Sequence, residues 1–96
     1  MATVVVTGGS RGIGAAVVAR YAARGDRVYF LYEKNHEAAR AVSEKTSATR
    51  ICCDVADSGA VAEAFSNIPE VDILVCMTGT GGTASVYAYR DGIVAV

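Results

Sequence analysis

Short unbroken apolar runs alternate along this chain with stretches in which apolar residues recur every three or four positions, the pattern of strands alternating with amphipathic helices. Thr3 to Thr7, built on Val4, Val5 and Val6, reads as a central strand covered on both faces. Ile13, Val17 and Tyr21 then fall four apart, with Val18 and Ala22 beside them, which predicts a helix over Ala15 to Arg24 capped by Gly25. Val28 to Tyr32 is a second strand, and Asn35 is the N-cap of a helix reaching about Thr46, with Ala38, Ala41, Val42 and Lys45 at helical spacing. A third strand, Arg50 to Cys53, ends at Asp54. Asp57 or Ser58 opens a third helix that places Val61, Ala64, Phe65 and Ile68 on one face and closes at Pro69; Val71 to Val75 is the fourth strand.

Every connection between these strands contains a helix, so the sheet must be parallel and the fold α/β. Right-handed crossovers give the strand order 3-2-1-4 in a three-layer arrangement, with the order reversing between the first and fourth strands. Ligands bind such sheets at the carboxyl ends of the strands at that reversal. One lip of the expected crevice is Thr7-Gly8-Gly9-Ser10-Arg11-Gly12-Ile13-Gly14; the other is Cys76-Met77-Thr78-Gly79. Glycines in a strand-to-helix turn supply backbone angles closed to other residues and let the main chain approach a ligand closely. The free N–H groups of the helix start and its positive dipole end then suit a phosphate.

The tail reads differently. After Thr80-Gly81-Gly82-Thr83, Ser85 to Tyr89 and Ile93 to Val96 flank Arg90-Asp91-Gly92, a β-hairpin signal. An isolated hairpin is marginal in water, so it is expected to pack on the fourth strand's exposed edge or on a second copy of the chain. The division is therefore residues 1–79 as a nucleotide-binding unit and 80–96 as a divergent tail.

Composition narrows the classes. The chain has 96 residues, 52% of them apolar, and a formal charge of −1, which gives no general attraction to nucleic acid or anionic lipid. No apolar run approaches the roughly 20 residues that span a bilayer, and the N-terminus enters a strand without the pattern of a signal peptide, so a cytoplasmic location is expected. Cys52, Cys53 and Cys76 lack metal-ligand spacing, so no metal is expected and all three read as small buried apolar residues. His36, the single histidine, reads as an ordinary surface residue.

The turn from Thr7 to Gly14 resembles the T-G-x-x-x-G-x-G motif of the classical short-chain dehydrogenases/reductases. Asp54-Val55 is similar to that family's acidic position after the third strand, and Asp72 to Val75 resembles the segment leading into its N-N-A-G motif. The resemblance covers about three quarters of the chain. It implies a Rossmann-like cofactor domain, with Gly8, Ser10, Arg11, Gly12, Ile13 and Gly14 around the phosphates, Asp54 and Val55 at the adenine, and Gly79 at the fourth strand's end. The second strand ends on Tyr32, where a carboxylate would accept from ribose hydroxyls. Tyr32 carries no charge, while Arg11 and Lys34 are cations suited to a 2′-phosphate, which favours NADP(H) over NAD(H) although Glu33 opposes it.

The sequence also departs from the family. Cys76-Met77-Thr78-Gly79 keeps only the glycine of N-N-A-G. The family's chemistry resembles hydride transfer assisted by a serine and by a tyrosine and lysine four apart, yet the lysines here are Lys34 and Lys45, and Tyr87 and Tyr89 are followed four residues on by Asp91 and Ile93. No catalytic residue is therefore assigned. The first reading is the cofactor half of a short-chain reductase, truncated or frameshifted before its catalytic half. The alternatives are a self-sufficient nucleotide-binding module and a structural or interaction fragment that retains the glycine turn as a relic.

Overall fold

The computed structural model describes residues 1–8, 12–54, 56–68, 70–78, 85–89 and 93–95. Its elements are β1 (Thr3–Thr7), α1 (Gly12–Ala23), β2 (Arg27–Tyr32), α2 (His36–Thr46), β3 (Thr49–Cys52), α3 (Ser58–Ser66), β4 (Ile73–Thr78), β5 (Ser85–Tyr89) and β6 (Ile93–Ala95). They form one sheet of order β3-β2-β1-β4-β5-β6. The first four strands are mutually parallel, in the expected order, with Val5 opposite both Tyr29 and Leu74. The tail hairpin lies antiparallel on the edge of β4, Cys76 opposite Tyr87, and β6 pairs in turn with β5. Of the two docking places expected for the hairpin, the chain uses its own sheet edge.

The sheet is the middle of three layers. Val4, Val6, Val28, Phe30 and Tyr32 point to one face and pack with Val18 of α1 and Ala39 of α2. Val5 and Leu31 point to the other and pack with Ala64 of α3, Ile68 and Cys53. Residues of both β1 and β2 are buried on both faces, so their apolar runs are nearly continuous. Two carboxylates fasten the start of β1. Asp26 accepts from the Ala2 N–H at 3.0 Å, with the Arg24 guanidinium 3.5 Å from its other oxygen, and Asp72 accepts from the Thr3 N–H at 2.8 Å.

Helix ends follow local chemistry. Gly25 takes φ +86°, and the Gly25 and Asp26 N–H groups donate back to Ala22 and Tyr21, closing α1 as a Schellman motif. Asn35 caps α2 by accepting from the Ala38 N–H, and Asp57 caps α3 by accepting from Gly59 and Ala60. Pro69, expected to close α3, lies outside the described residues; the helix ends at Ser66.

Several expected positions move. In α1 the buried residues are Gly14 and Val18, while Ile13 is 64% exposed. The inward stripe therefore starts at the glycine that lets the helix lie close to the sheet, and Ile13 leaves it. In α2 Ala39 is buried and Val42 half-buried, whereas Ala41 and Lys45 face solvent. Inward Ser43 and Thr46 bond the carbonyls of Ala48 and Val42, so polar residues fill two places of the stripe. β3 runs Thr49–Cys52 rather than to Cys53. β4 starts later and runs further than Val71 to Val75, because antiparallel pairing with β5 carries it to Thr78.

Of the cysteines, Cys53 is buried as expected, but Cys52 is exposed because β3 is an edge strand with little covering it. The side chain of Cys76 falls outside those described. Burial raises the pKa of the Cys53 thiol above its ordinary value, and the nearby Asp54 and Asp57 carboxylates and Cys52 add to the rise. Because the thiolate is the reactive species, brief iodoacetamide treatment of the native chain at pH 8 is expected to alkylate Cys52 well ahead of Cys53. Fragment-ion mass spectrometry distinguishes the neighbours, and equal rates would contradict the burial difference.

Candidate functional site

β1 and β4 lie side by side with Thr7 opposite Cys76, and the chain leaves β1 toward α1 at this carboxyl edge. The strand order reverses here: β2 and β3 lie on one side of β1, and β4 with the hairpin on the other. Gly8 follows with φ +72°, and its N–H donates to the Leu31 carbonyl at 2.8 Å, so the first residue of the turn is still held to β2. Gly12 takes φ +59°, and a Cβ built on it meets no described atom within 4 Å. The backbone there is left-handed, and no described side chain crowds it. Both facts suit close approach by a ligand.

α1 begins at Gly12 with no acidic residue in its first turn. Its orphan N–H groups and positive dipole end are therefore not offset by a carboxylate of that turn, an arrangement that favours an anion. Ile13, in that first turn, is one of two exposed large apolar residues among those described, the other being Met1. Gly14 is buried against the sheet.

The ends of β2 and β3 continue the same rim. The Cys53 N–H donates to the Tyr32 carbonyl at 2.8 Å, extending the ladder one residue past β3. Asp54 comes next and is exposed; one carboxylate oxygen accepts from the Ala56 N–H at 2.9 Å, and its carbonyl accepts from the Asp57 N–H. Asp54 thus shapes the turn after β3, and its local bonding leaves the second carboxylate oxygen to other donors. Past β2, Lys34, Asn35, His36 and Glu37 line a surface depression of about 600 Å³.

The structure thus sets Gly8, Gly12, Ile13 and Gly14 at the end of β1, Lys34 beyond β2 and Asp54 beyond β3, all on the carboxyl side of the sheet. Ser10, Arg11, Val55 and Gly79 lie outside the described residues. Sequence reasoning missed a contact. His36 is exposed, as expected, but its Nδ1 is 2.9 Å from the Tyr32 hydroxyl, with the two rings perpendicular at 5.3 Å. The residues are four apart in sequence, yet one ends a strand and the other begins a helix. Helical spacing therefore gave no signal for the pair.

The chain resembles known proteins in sequence and fold. The chain is 42% identical over 79 residues to the cyclic-di-GMP-binding biofilm dispersal mediator protein of Escherichia coli K12, an alignment that covers 82% of this chain and 33% of that one. Its fold matches the crystal structure of BdcA in complex with NADPH at a TM-score of 0.77 and 38% identity, over 90% of this chain and 34% of the other. A Burkholderia cenocepacia short-chain dehydrogenase in complex with NADP matches at a TM-score of 0.70 and 44% identity, over 74% of this chain and 33% of that one. The chain thus spans about a third of the length of these relatives. The short chain dehydrogenase family model matches residues 2–92, and with the parallel 3-2-1-4 sheet and its glycine turn this places the chain in the short-chain dehydrogenase family.

Proposed function

We propose that this chain is the dinucleotide-binding part of a short-chain dehydrogenase/reductase and takes NADP(H) in preference to NAD(H). The observation that carries the reading is the pair of left-handed glycines, Gly8 and Gly12, between β1 and a helix start that has no acidic residue, at the point where the strand order reverses. The NADPH and NADP complexes of similar proteins support it. In this reading Gly8, Ser10, Arg11, Gly12, Ile13 and Gly14 surround the phosphates, Lys34 and Arg11 offset the charge of the ribose phosphate, Asp54 and Val55 lie at the adenine, and Gly79 closes the crevice from the fourth strand.

The family's chemistry is hydride transfer between a carbonyl and an alcohol, and the nicotinamide supplies the hydride when bound. These 96 residues contain no tyrosine with a lysine four positions on, so we propose that they hold the cofactor without reducing a carbonyl by themselves. Residues 1–79 form the binding unit of the proposal, in the cytoplasm, and 80–96 its tail. The route to self-association is through the outer strands of the sheet, where β3 and β6 each have one neighbour within the chain.

Titration of the chain with NADPH and NADH, followed by cofactor fluorescence, tests the reading. Cyclic-di-GMP serves as a competitor, since a relative is named for binding it. NADPH is expected to bind several-fold more tightly than NADH. Equal affinities would remove the roles given to Arg11 and Lys34, and no binding of either would overturn the cofactor reading as a whole.

A further inference from the structure

In dinucleotide sites of this topology the residue that discriminates the adenosine ribose lies about 20 positions after the glycine turn, at the end of the second strand. Here that position is Tyr32, and its side chain is committed elsewhere. The residue is only 8% exposed, its ring packs in the core with Phe30 and Ala39, and its hydroxyl is bonded to His36. The polar group bonded to that hydroxyl is the imidazole of His36.

That imidazole is held from three sides. His36 is the first residue of α2, so its backbone is fixed by the helix that Asn35 caps, and its own N–H donates to the Lys34 carbonyl at 2.9 Å. Its Nδ1 is taken by the Tyr32 hydroxyl, and the edge contact between the rings sets the tilt. When the tyrosine O–H donates to Nδ1, the ring proton resides on Nε2. When the ring is an imidazolium, Nδ1–H donates to the tyrosine oxygen and Nε2 again carries a proton. In these two arrangements Nε2 is a donor, whereas in the neutral tautomer whose Nδ1–H donates to the tyrosine oxygen it is an acceptor; an approaching phosphate selects the first two, and no described residue bonds Nε2. Lys34 lines the same depression and brings a full positive charge; Glu37 lines it too and opposes an anion, and Glu33 follows Tyr32 in the chain.

We propose that His36, oriented by Tyr32, is a specificity-determining residue that donates from Nε2 to the 2′-phosphate of the cofactor's adenosine ribose, alongside Lys34. The inference rests on the cofactor reading above and deepens it. Tyr32 acts as a positioning residue that holds the ring and does not touch the ligand. A ribose hydroxyl gains much less than a phosphate from this donor, because bonds to charged acceptors are about twice as strong as neutral ones.

The test is a set of dissociation constants for NADPH, NADH, adenosine 2′,5′-bisphosphate and 5′-AMP, measured by calorimetry on the wild-type chain and on His36→Ala, His36→Gln, Tyr32→Phe and Lys34→Ala. His36→Ala is expected to weaken NADPH and the bisphosphate about tenfold, the loss of one hydrogen bond to a charged group, and to leave NADH and 5′-AMP within about twofold. His36→Gln, whose amide still donates, is expected to recover part of the loss. Tyr32→Phe is expected to weaken NADPH by a few-fold with little change in NADH, which a purely structural role for the hydroxyl would not produce. Equal weakening of phosphorylated and unphosphorylated ligands by His36→Ala would overturn the inference. So would a preference that survives His36→Ala and disappears only in Lys34→Ala, although either result leaves the cofactor reading standing. Failure of the wild-type chain to bind any of the four ligands would overturn both.

Discussion

Phe30→Ala is expected to lower the unfolding free energy by about 3–5 kcal/mol, the range for truncating a fully buried aromatic residue. Phe30 is completely buried in β2, between β1 and β3, and packs with Val4, Val6, Val18 and Ala39 in the layer formed with α1 and α2. Its ring centre is 6.4 Å from that of Tyr32, so a cavity at Phe30 also removes support from the residue that holds His36. Domains are stable by about 5–15 kcal/mol, and a chain of 96 residues buries a modest fraction of its surface, so the loss takes a large share of the total. Tyr29, one position earlier, points to the other face and is only half-buried beside α3. Tyr29→Ala is expected to lose less than half as much. Urea unfolding followed by far-UV circular dichroism, with the denaturant slope unchanged, measures both. Equal losses would contradict the unequal covering of the two faces.

The same contrast explains why the sheet was more legible than the helices. Val4 to Val6 and Val28 to Tyr32 are apolar at every position because both faces of β1 and β2 are covered, and such a run needs no phase to be assigned. The strand order followed from the helical connections alone. A helix stripe, by contrast, must be placed to within one residue. In α1 Ile13 fits the four-residue spacing as well as Gly14 does, and hydrophobicity favours isoleucine; the sheet instead takes the glycine because a missing side chain permits the closest approach. In α2 the inward positions include Ser43 and Thr46, which satisfy backbone carbonyls at the helix end and so carry no apolar signal.

The candidate site divides along the same line. Glycines advertise backbone geometry in the sequence, and Gly8 and Gly12 both adopt the left-handed angles that their spacing implied. Asp54 was legible as a residue at a strand end, while its bond to the Ala56 N–H depends on how the chain turns after β3. The Tyr32 to His36 contact was hidden because it crosses from a strand to a helix and needs both termini in place. Exposure of Cys52 was within reach of the sequence, because the expected order 3-2-1-4 already puts the third strand at the sheet edge; reading the cysteine by its residue type alone overrode that signal.

Gly12→Ala is expected to separate binding from stability most sharply. At φ +59° an alanine incurs a penalty of about 1–2 kcal/mol relative to glycine, so a modest drop in the urea midpoint is expected. The new methyl meets no described atom of the fold within 4 Å, so crowding from those atoms adds nothing to that loss. Gly12 opens the first turn of α1, whose N–H groups would receive a pyrophosphate in the proposed reading. NADPH affinity of the folded fraction is therefore expected to fall about 100-fold, far more than the stability change accounts for. Gly25→Ala provides the matched control: Gly25 is also left-handed, at φ +86°, and a Cβ built on it also meets no described atom within 4 Å, but it caps the opposite end of α1. It is expected to lose a similar amount of stability while NADPH affinity stays within about twofold. If both variants bind NADPH as the wild type does, the phosphate cradle is not at the start of α1. If both lose affinity in proportion to stability, the glycines serve the backbone alone.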